Sequence, residues 1–504
     1  MRRSADGWRG LIGSTFTPER AARLAATIVT AVRAHDGGGP RVVVGYDCRR
    51  LGRRAARLIA RAAGDAGARA VRIVEHLPTP TASYLVGAGD AELALLVTAS
   101  HNPPEWNGVK AKGRPGCPLD AELERRADAL FDDSERAAGD APSGEPPGAP
   151  SGKPSGEPFD KADEACADDA GGLDDAIFEE CDASPWIDRH IAHVLSRLPA
   201  TPDRPLRVVV DGLGGIAGRA MLRLCDALRW SATPLGCAPS ADFGGVAPDP
   251  SLPASRRRAA DAVCAEHADL GLVVDGDGDR VYAIDGDGRT VEPHELFALL
   301  LVHRHQRRYG HPERGVAVTA ATGALVRLLC ARWNRPVVEL PVGFKHLSPL
   351  LVEGRIDAGG GSVGDLAFAE FGVDRDPFGA VALLADLLAT SGQSLAALIA
   401  DLRHRYGRFD WHESRVNGNA TDAQLRDAGR RALERCGFDA RTARITTVDG
   451  IKFSLDSGEW LLLRPSTTEG GIRVYGELLS TRAAGAAAAL AAHVARALAA
   501  ERSP

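Results

Sequence analysis

Short, almost wholly apolar runs recur along the chain. Each ends in a turn rich in Gly, Asp or Ser, and stretches of helical Ala/Leu/Arg pattern alternate with them. They include "RVVVGYD" at 41–47, "ELALLVTAS" at 92–100, "LRVVVDGLGG" at 206–215, "DLGLVVDGDGDR" at 269–280 and "GVAVTAATGALVRLL" at 315–329. A strand without a polar side has to be covered on both faces, which is the situation of sheets sandwiched between helices. The pattern therefore predicts three successive α/β domains with mixed, largely parallel sheets. The end of the chain differs: "ITTVDGIKFSLDSGEWLLLRPS" at 445–466 alternates as antiparallel strands do, and "AAGAAAALAAHVARALAA" at 483–500 closes as a helix. This predicts a C-terminal α+β domain.

One stretch interrupts the alternation. Residues 132–182 contain "APSGEPPGAPSGKPSGEP" followed by an acidic run, with almost no aliphatic side chains. Such a composition cannot bury enough apolar surface to offset its chain entropy and reads as a linker or insertion. The expected domains are 1–131, 183–291, 292–407 and 408–504. A chain of 504 residues with 44% apolar and 25% charged residues has ample material for several cores. Its net charge of -6 argues against nucleic acid or an anionic membrane as the main partner. Nine Cys without C-x-x-C spacing fit reduced thiols and a cytoplasmic protein, and no apolar run reaches membrane-spanning length.

Three loops carry chemistry. In open α/β sheets ligands gather beyond the carboxyl ends of strands. In "VTASHNPPEWNGVK" at 97–110, Ser100 stands at such an end with Pro103 and Pro104 stiffening the next turn, which makes it a candidate nucleophile. "DGDGDR" places Asp275, Asp277 and Asp279 after another apolar run, three hard carboxylates able to wrap one Mg²⁺. An EF-hand is excluded, because Arg280 stands at its glycine position and Gly286 at its closing glutamate. The later "DGDGR" at 285–289 reads as a hairpin turn. In "RPSTTEGGIRVYGE" at 464–477, Arg464 and Arg473 offer bidentate cationic donors and Ser466, Thr467 and Thr468 add hydroxyls, a set suited to a phosphate dianion. "GLGGIA" at 212–217 lacks the acidic residue of a dinucleotide fingerprint, and no G-x-x-x-x-G-K-[ST] occurs.

Together, in this order, the loops resemble the α-D-phosphohexomutase family. "TASHNP" (98–103) is similar to its phosphoserine loop, "DGDGDR" to its metal loop and "RPSTTEGGIR" to its phosphate loop, while "DGWRG" (6–10) and "PVGFK" (341–345) resemble further segments. The resemblance implies four domains around a central cleft and a Mg²⁺-dependent phosphosugar mutase of the phosphoglucomutase and phosphomannomutase kind. Such an enzyme exchanges sugar 1-phosphate and 6-phosphate through a phosphoserine and a catalytic sugar bisphosphate. Ser100 would carry the phosphoryl group and share the metal with Asp275, Asp277 and Asp279. Arg280 would reach the transferring or sugar-side groups. Arg9 and Lys110 would be the basic residues beside Ser100, Lys110 as general acid/base and His101 in support. Arg464, Ser466, Thr467, Thr468 and Arg473 would hold the idle phosphate, with Lys345 as a further contact. The partner implied is a small phosphosugar, and the protein a monomer or homodimer.

The chain departs from the family in "GGGSVGDLAF" at 359–368, where Gly361, Ser362 and Val363 fall on the sugar loop's usual Glu and Ser. Ser362 and Asp365 are the polar side chains left there to bond a differently placed hydroxyl or amino group. Thr467 and Gly470 replace the usual Gly and Pro of the phosphate loop. An atypical phosphosugar is therefore expected as substrate. A sugar bisphosphate synthase and a noncatalytic sugar-phosphate sensor are the alternatives.

Overall fold

The structure is a computed structural model that describes residues 1–4, 6–139, 178, 180–200, 202–465, 471–479 and 485–500. Four sheets follow one another along the chain. In the first, Arg41–Tyr46 lies between Ala70–Glu75 and Leu93–Val97, parallel to both. In the second, Arg207–Asp211 lies between Ser231–Leu235 and Leu270–Val274, again parallel to both. In the third, Gly315–Thr319 lies between Val337–Leu340 and Ile356–Gly360 in the same way.

Each trio is then completed identically. Its last strand turns through a short loop into an antiparallel neighbour: Leu93–Val97 into Trp106–Gly113, Leu270–Val274 into Val281–Asp285, and Ile356–Gly360 into Leu366–Phe368. The Ser100 loop, the acidic loop and the loop of Ser362 and Asp365 are thus topological equivalents. Parallel pairing is confined to the trios and one added edge strand, and antiparallel strands extend each sheet. The three trio strands Leu93–Val97, Leu270–Val274 and Ile356–Gly360 are buried along their whole length, as strands covered on both faces must be, and the one charge among them, Asp357, is paired with Arg304 and Arg335.

Helices Pro18–Asp36, Gly52–Asp65 and Ala121–Ala137 cover one face of the first sheet through Leu24, Ile28, Ile59 and Phe131. The other face, with Val43, Val74 and Leu96, opens into a core that continues without a break to Leu402. The first three domains are therefore fastened into one scaffold. The fourth is a separate antiparallel sheet, in order Phe409–Val416, Ile472–Leu479, Trp460–Pro465, Ile451–Ser454, Arg444–Thr446, covered on one side by helices Asp422–Arg435 and Ala486–Ala500. Its other side docks Trp460, Leu462 and Tyr475 onto Ala320, Ala321 and Ala324 of the third domain. Burying such an aromatic contributes roughly 2–3 kcal/mol, and Glu477 adds a 2.6 Å hydrogen bond from the Ala324 amide, capping a helix N-terminus.

Two edges of the expected linker are corrected. The helix Ala121–Ala137 runs six residues into it, because Phe131 is buried and Glu135 pairs with Arg20 and Arg23, so the acidic pattern there is an amphipathic helix face. At the other edge, Glu180–Asp182 returns as a parallel strand beside Ala70–Glu75. The remainder of that segment, 140–177 and 179, lies outside the described residues. Asp285–Arg289 forms the expected hairpin turn between Val281–Asp285 and Thr290–Val291. Among the described residues no single helix is long and apolar enough to cross a membrane.

Candidate active site

Ser100 lies just past the strand Leu93–Val97, with φ of 53° and almost no exposure. A non-glycine residue rarely adopts this left-handed conformation, so the surroundings must impose it. They do so through Asp47, Arg49 and Thr98. Thr98 Oγ1 accepts from the Ser100 amide at 2.9 Å and donates to Asp47 Oδ2 at 2.7 Å. Arg49 Nε pairs with Asp47 at 3.1 Å, and its two terminal nitrogens donate to the carbonyls of Ser100, Asn102, Pro103 and Trp106 at 2.6–2.9 Å. One guanidinium thus stitches the whole turn, a task its rigid fork of five donors suits. Its outer face lies 4.6 Å from the ring centre of Phe243.

The acidic loop of the second domain meets this turn. Ser100 Oγ donates to Asp275 Oδ2 at 2.9 Å. Gly276 permits the approach, since a β-carbon there would stand 2.8 Å from the Ser100 carbonyl oxygen. Asp275 Oδ1 accepts from the amides of Asp279 and Arg280 at 2.9 and 3.1 Å, curling the loop on itself. Asp277 Oδ2 receives Thr79 Oγ1 and Lys110 Nζ, both at 2.6 Å. Asp279 Oδ2 receives Lys110 Nζ at 2.6 Å and pairs with Arg375 at 2.9 Å.

All three aspartates are buried, and one oxygen of each lies within 4.8 Å of the others. Burial, then Asp279 and Asp277, push the Asp275 carboxyl well above the usual range. Burial works the same way on Asp279, but Arg375, Lys110 and Arg280 outweigh it and hold that carboxyl below the range. Among the described residues, Oδ1 of Asp277 and Oδ1 of Asp279 are buried without a hydrogen-bond partner. Crowded carboxylates with unserved oxygens fit a hard divalent cation, so the donor set suits Mg²⁺.

Lys110 is buried between Asp277, Asp279 and, at 3.1 Å, Asp6. Burial opposes its charge, but these carboxylates prevail and raise its pKa, leaving it an ammonium. The ammonium is the acid form in the acid/base role expected of Lys110. His101 is held neutral, by burial first and then by Arg280, Arg9, Lys110 and Arg49, and its Nδ1 is buried without a hydrogen-bond partner among the described residues. Arg9 donates through Nη1 to Asn102, two residues past Ser100. Arg280 stands 3.8 Å from Asp249 and 3.9 Å from Asp279.

Models of the phosphoglucomutase/phosphomannomutase α/β/α domains I, II and III match residues 2–137, 188–288 and 292–406. The chain belongs to this phosphohexomutase family. A phosphoglucosamine mutase of Mycobacterium ulcerans is 30% identical over 486 residues, 95% of each chain. A phosphomannomutase/phosphoglucomutase of Pseudomonas aeruginosa is 28% identical over 464 residues, 91% of this chain and 88% of that one. The crystal structure of a phosphoglucomutase/phosphomannomutase family protein from Burkholderia thailandensis shares the fold, with a TM-score of 0.72 at 22% identity over 99% and 98% of the two chains.

Within this phosphohexomutase the second group of expected residues stands apart from Ser100. Arg464 and Arg473 face each other across adjacent strands and pair with Asp449 at 2.6 Å and Glu413 at 2.8 Å. Asp449 also accepts the Val342 amide at 2.9 Å, tying Arg464 to the loop of half-buried Lys345. The Lys345 ammonium is pulled down, by burial and then by Arg3. Ser466, Thr467 and Thr468 lie outside the described residues. Ser362 and Asp365 are both buried in the third topologically equivalent loop. A cavity of about 820 Å³ behind Asp374–Asp376, lined also by Tyr84, His190 and His193, includes neither Ser100 nor the three aspartates.

Several working residues carry no mark in the sequence. Arg49 follows an apolar strand as an ordinary turn residue does, and its neighbouring-strand position is the one clue. Arg375 and Asp6 bond each other and reach the cluster from the third and first domains. Arg415 stands directly opposite Arg473, so three arginines from adjacent strands share one level of one sheet face.

Proposed function

We propose that this phosphohexomutase is a Mg²⁺-dependent phosphosugar mutase that interconverts sugar 1-phosphates and 6-phosphates through phospho-Ser100 and a sugar bisphosphate. The observation that carries the reading is the buried Ser100 hydroxyl on Asp275, beside two carboxylate oxygens without a hydrogen-bond partner among the described residues. Asp275, Asp277 and Asp279 would hold Mg²⁺, with a phospho-Ser100 oxygen beside them. When bound, the cation neutralises charge on the transferring phosphoryl group.

The protein's own groups do the rest by position and charge. Arg49 and Thr98 hold Ser100 in its left-handed turn, so its phosphoryl group points at one spot. The P–O bond to Ser100 breaks as a new P–O bond forms to a hydroxyl of the sugar monophosphate, whose proton has to leave. Neutral His101, with Nδ1 unpartnered, is in the state to accept a proton, and ammonium Lys110 is in the state to donate one to the departing Ser100 oxygen. The bisphosphate then turns over and returns its other phosphoryl group to Ser100. Arg464 and Arg473 grip whichever phosphate is idle.

The names of the relatives cover glucose, mannose and glucosamine phosphates, and all three enter the test. Phosphorylated protein is assayed for conversion of each 1-phosphate to its 6-phosphate, with and without Mg²⁺ and the matching bisphosphate. Turnover that needs the cation supports the reading; absence of turnover on every sugar rejects it. Bisphosphate that accumulates during turnover would instead mark a bisphosphate synthase.

A further inference from the structure

Phe243 is wholly buried, yet it stands outside the apolar clusters that form the cores of the four domains. It lies in the turn 240–246 of the second domain, where three successive residues are left-handed: Phe243, Gly244 and Gly245 have φ of 56°, 63° and 74°. Glycines adopt this conformation freely, and a bulky L-residue resists it. The turn is braced around it. The Ser240 amide donates to the Gly214 carbonyl at 2.9 Å, the Phe243 amide to the Ser240 carbonyl at 3.0 Å, and the Gly244 amide to Asp242 Oδ1 at 2.9 Å. Gly214 leaves the room, since a β-carbon there would stand 2.5 Å from the Phe243 carbonyl carbon. A turn that holds phenylalanine where glycine would sit without strain has a use for the side chain.

Its ring meets the Ser100 turn through Arg49. All five N–H groups of that guanidinium are engaged, Nε with Asp47 and the terminal nitrogens with four carbonyls of the turn. Only its faces are left, and the centre of the Phe243 ring lies 4.6 Å from Cζ. The Arg49 side chain is cut off from solvent, so the attraction between the cation and the ring face is not weakened by water. The ring's edge lies against the acidic loop as well. A β-carbon at Gly276 would stand 3.3 Å from Phe243 Cε1 and 2.8 Å from the Ser100 carbonyl oxygen. One side chain of the second domain thus packs at both loops whose contact brings Ser100 Oγ to Asp275.

We propose that Phe243 is a positioning residue for Ser100: its ring holds Arg49 on the Ser100 turn and keeps that turn seated on the acidic loop. The inference rests on the mutase reading, in which Ser100 carries the phosphoryl group, and deepens it. A wholly buried, apolar ring offers no hydrogen bond to a sugar phosphate. Its loss therefore falls on the transfer step and not on binding, and it acts only while Arg49 is there to be held.

The full-length protein is compared with Phe243→Leu and Phe243→Met, each alone and combined with Arg49→Met or Arg49→Lys. Leucine and methionine keep the site filled and remove the aromatic face. Melting curves show which variants are folded, and either one serves if the other is not. On the sugar 1-phosphate that the native protein turns over fastest, kcat should fall about tenfold and KM stay within about twofold. Hydrogen exchange at the amides of Thr98, Ser100, Asn102 and Trp106, all bonded within the turn or to its neighbouring strand, should quicken at least about tenfold. Exchange in the strand Leu93–Val97 should stay native. In an Arg49 background the same substitution should add less than about twofold to either reading, because the group it acts through is already altered. A general loss of stability would instead quicken the strand too and add in full to the Arg49 effect, and either result overturns the proposal. Native kcat, or native exchange in the turn, overturns it as well. So does failure of both replacements to fold, which would make Phe243 a determinant of the fold. All of these leave the mutase reading standing if the native protein turns over a sugar. If it turns over none, the mutase reading falls, and the exchange measurements alone decide whether Phe243 positions Ser100.

Discussion

Ser100 Oγ and Asp275 Oδ2 are joined by a 2.9 Å hydrogen bond between loops of two different domains. In the proposed mechanism the first domain supplies the phosphoryl carrier and the second the carboxylates, so the reacting centre would exist only where the two loops touch. Ser100→Ala removes the carrier without opening an apolar cavity, and alanine meets the left-handed turn with the same difficulty as serine. Mutase turnover should fall by at least about 10³-fold, the scale of losing a group on which transfer depends. The melting temperature should stay within a few degrees. Mass spectrometry of the native protein should find phosphate on Ser100, and a variant that keeps native turnover would remove Ser100 from the mechanism.

Asp277→Asn deletes a charge from a carboxylate whose Oδ1 has no hydrogen-bond partner among the described residues and whose Oδ2 already serves Thr79 and Lys110. A hard cation loses one of its three anionic ligands. Mg²⁺ affinity, titrated by calorimetry on the full-length protein, should weaken at least about tenfold, and maximal activity should drop with it. An unchanged titration would mean that the cluster holds no metal.

Arg49 donates to four carbonyls of the Ser100 turn while its guanidinium is buried against Phe243. Arg49→Met leaves those carbonyls without their donor and Asp47 without the guanidinium. Breaking a buried pair in this way costs about 3–5 kcal/mol. The variant should melt several degrees lower and lose most of its turnover, and added Mg²⁺ should not restore it. Arg49→Lys should rescue little, because one ammonium cannot span four acceptors.

The scaffold is largely legible in the sequence. Strands such as Leu270–Val274 are buried on both faces and so advertise themselves as unbroken apolar runs. Ser100, the three aspartates and Arg464 are legible because glycines, prolines and chain order mark their loops. Partners that act through distance in sequence are not. Arg375 is nearly 100 residues from Asp279 and lies in a stretch whose pattern says only that a helix comes next. Alignment along the chain shows only that Gly361 carries no side chain; that the Asp365 carboxylate comes within 2.6 Å of where a β-carbon at 361 would stand is visible only in three dimensions. The domain edge expected at 131 falls short of the end of helix Ala121–Ala137 because the charged run after Phe131 hides a continuing helix, whose Glu135 turns inward to Arg20 and Arg23.

Arg415, Arg473 and Arg464 stand level on three adjacent strands. Like charges directly opposite one another weaken a sheet by a few tenths of a kcal/mol or more. Glu413 pairs with Arg473 and Asp449 with Arg464, and a row of three guanidiniums on one face suits a phosphate dianion. Arg415→Ala should therefore raise KM for the sugar phosphate about tenfold, leave kcat within about twofold and leave the melting temperature unchanged or slightly higher. A variant with native KM would place Arg415 outside the phosphate grip.

Lys452 fastens the fourth domain to the third. Its Nζ donates to the Ala320 carbonyl at 2.7 Å and to Glu339 at 2.8 Å, over the face of Trp460. Burial, with Arg327 beside it, pulls its pKa down to about 7, while Glu339 and Glu477 pull the other way. Arg327 also pairs with Glu339, so that carboxylate keeps a cation when Lys452 is neutral. In the unfolded chain a lysine titrates near 10.4. Between the two values the unfolded chain binds more protons than the folded one, so stability rises with pH across that window. Below about pH 7 both states are charged and the cost of burying the charge is fully present; above about pH 10 both are neutral and the cost is gone. The gap corresponds to an upper limit on the order of 5 kcal/mol. Lys452→Met, which keeps the packing against Trp460 and removes the charge, should raise the melting temperature at pH 7, and its advantage over the native protein should shrink steadily towards pH 9. Parallel melting curves for the two proteins across that range would show that Lys452 does not titrate in the fold.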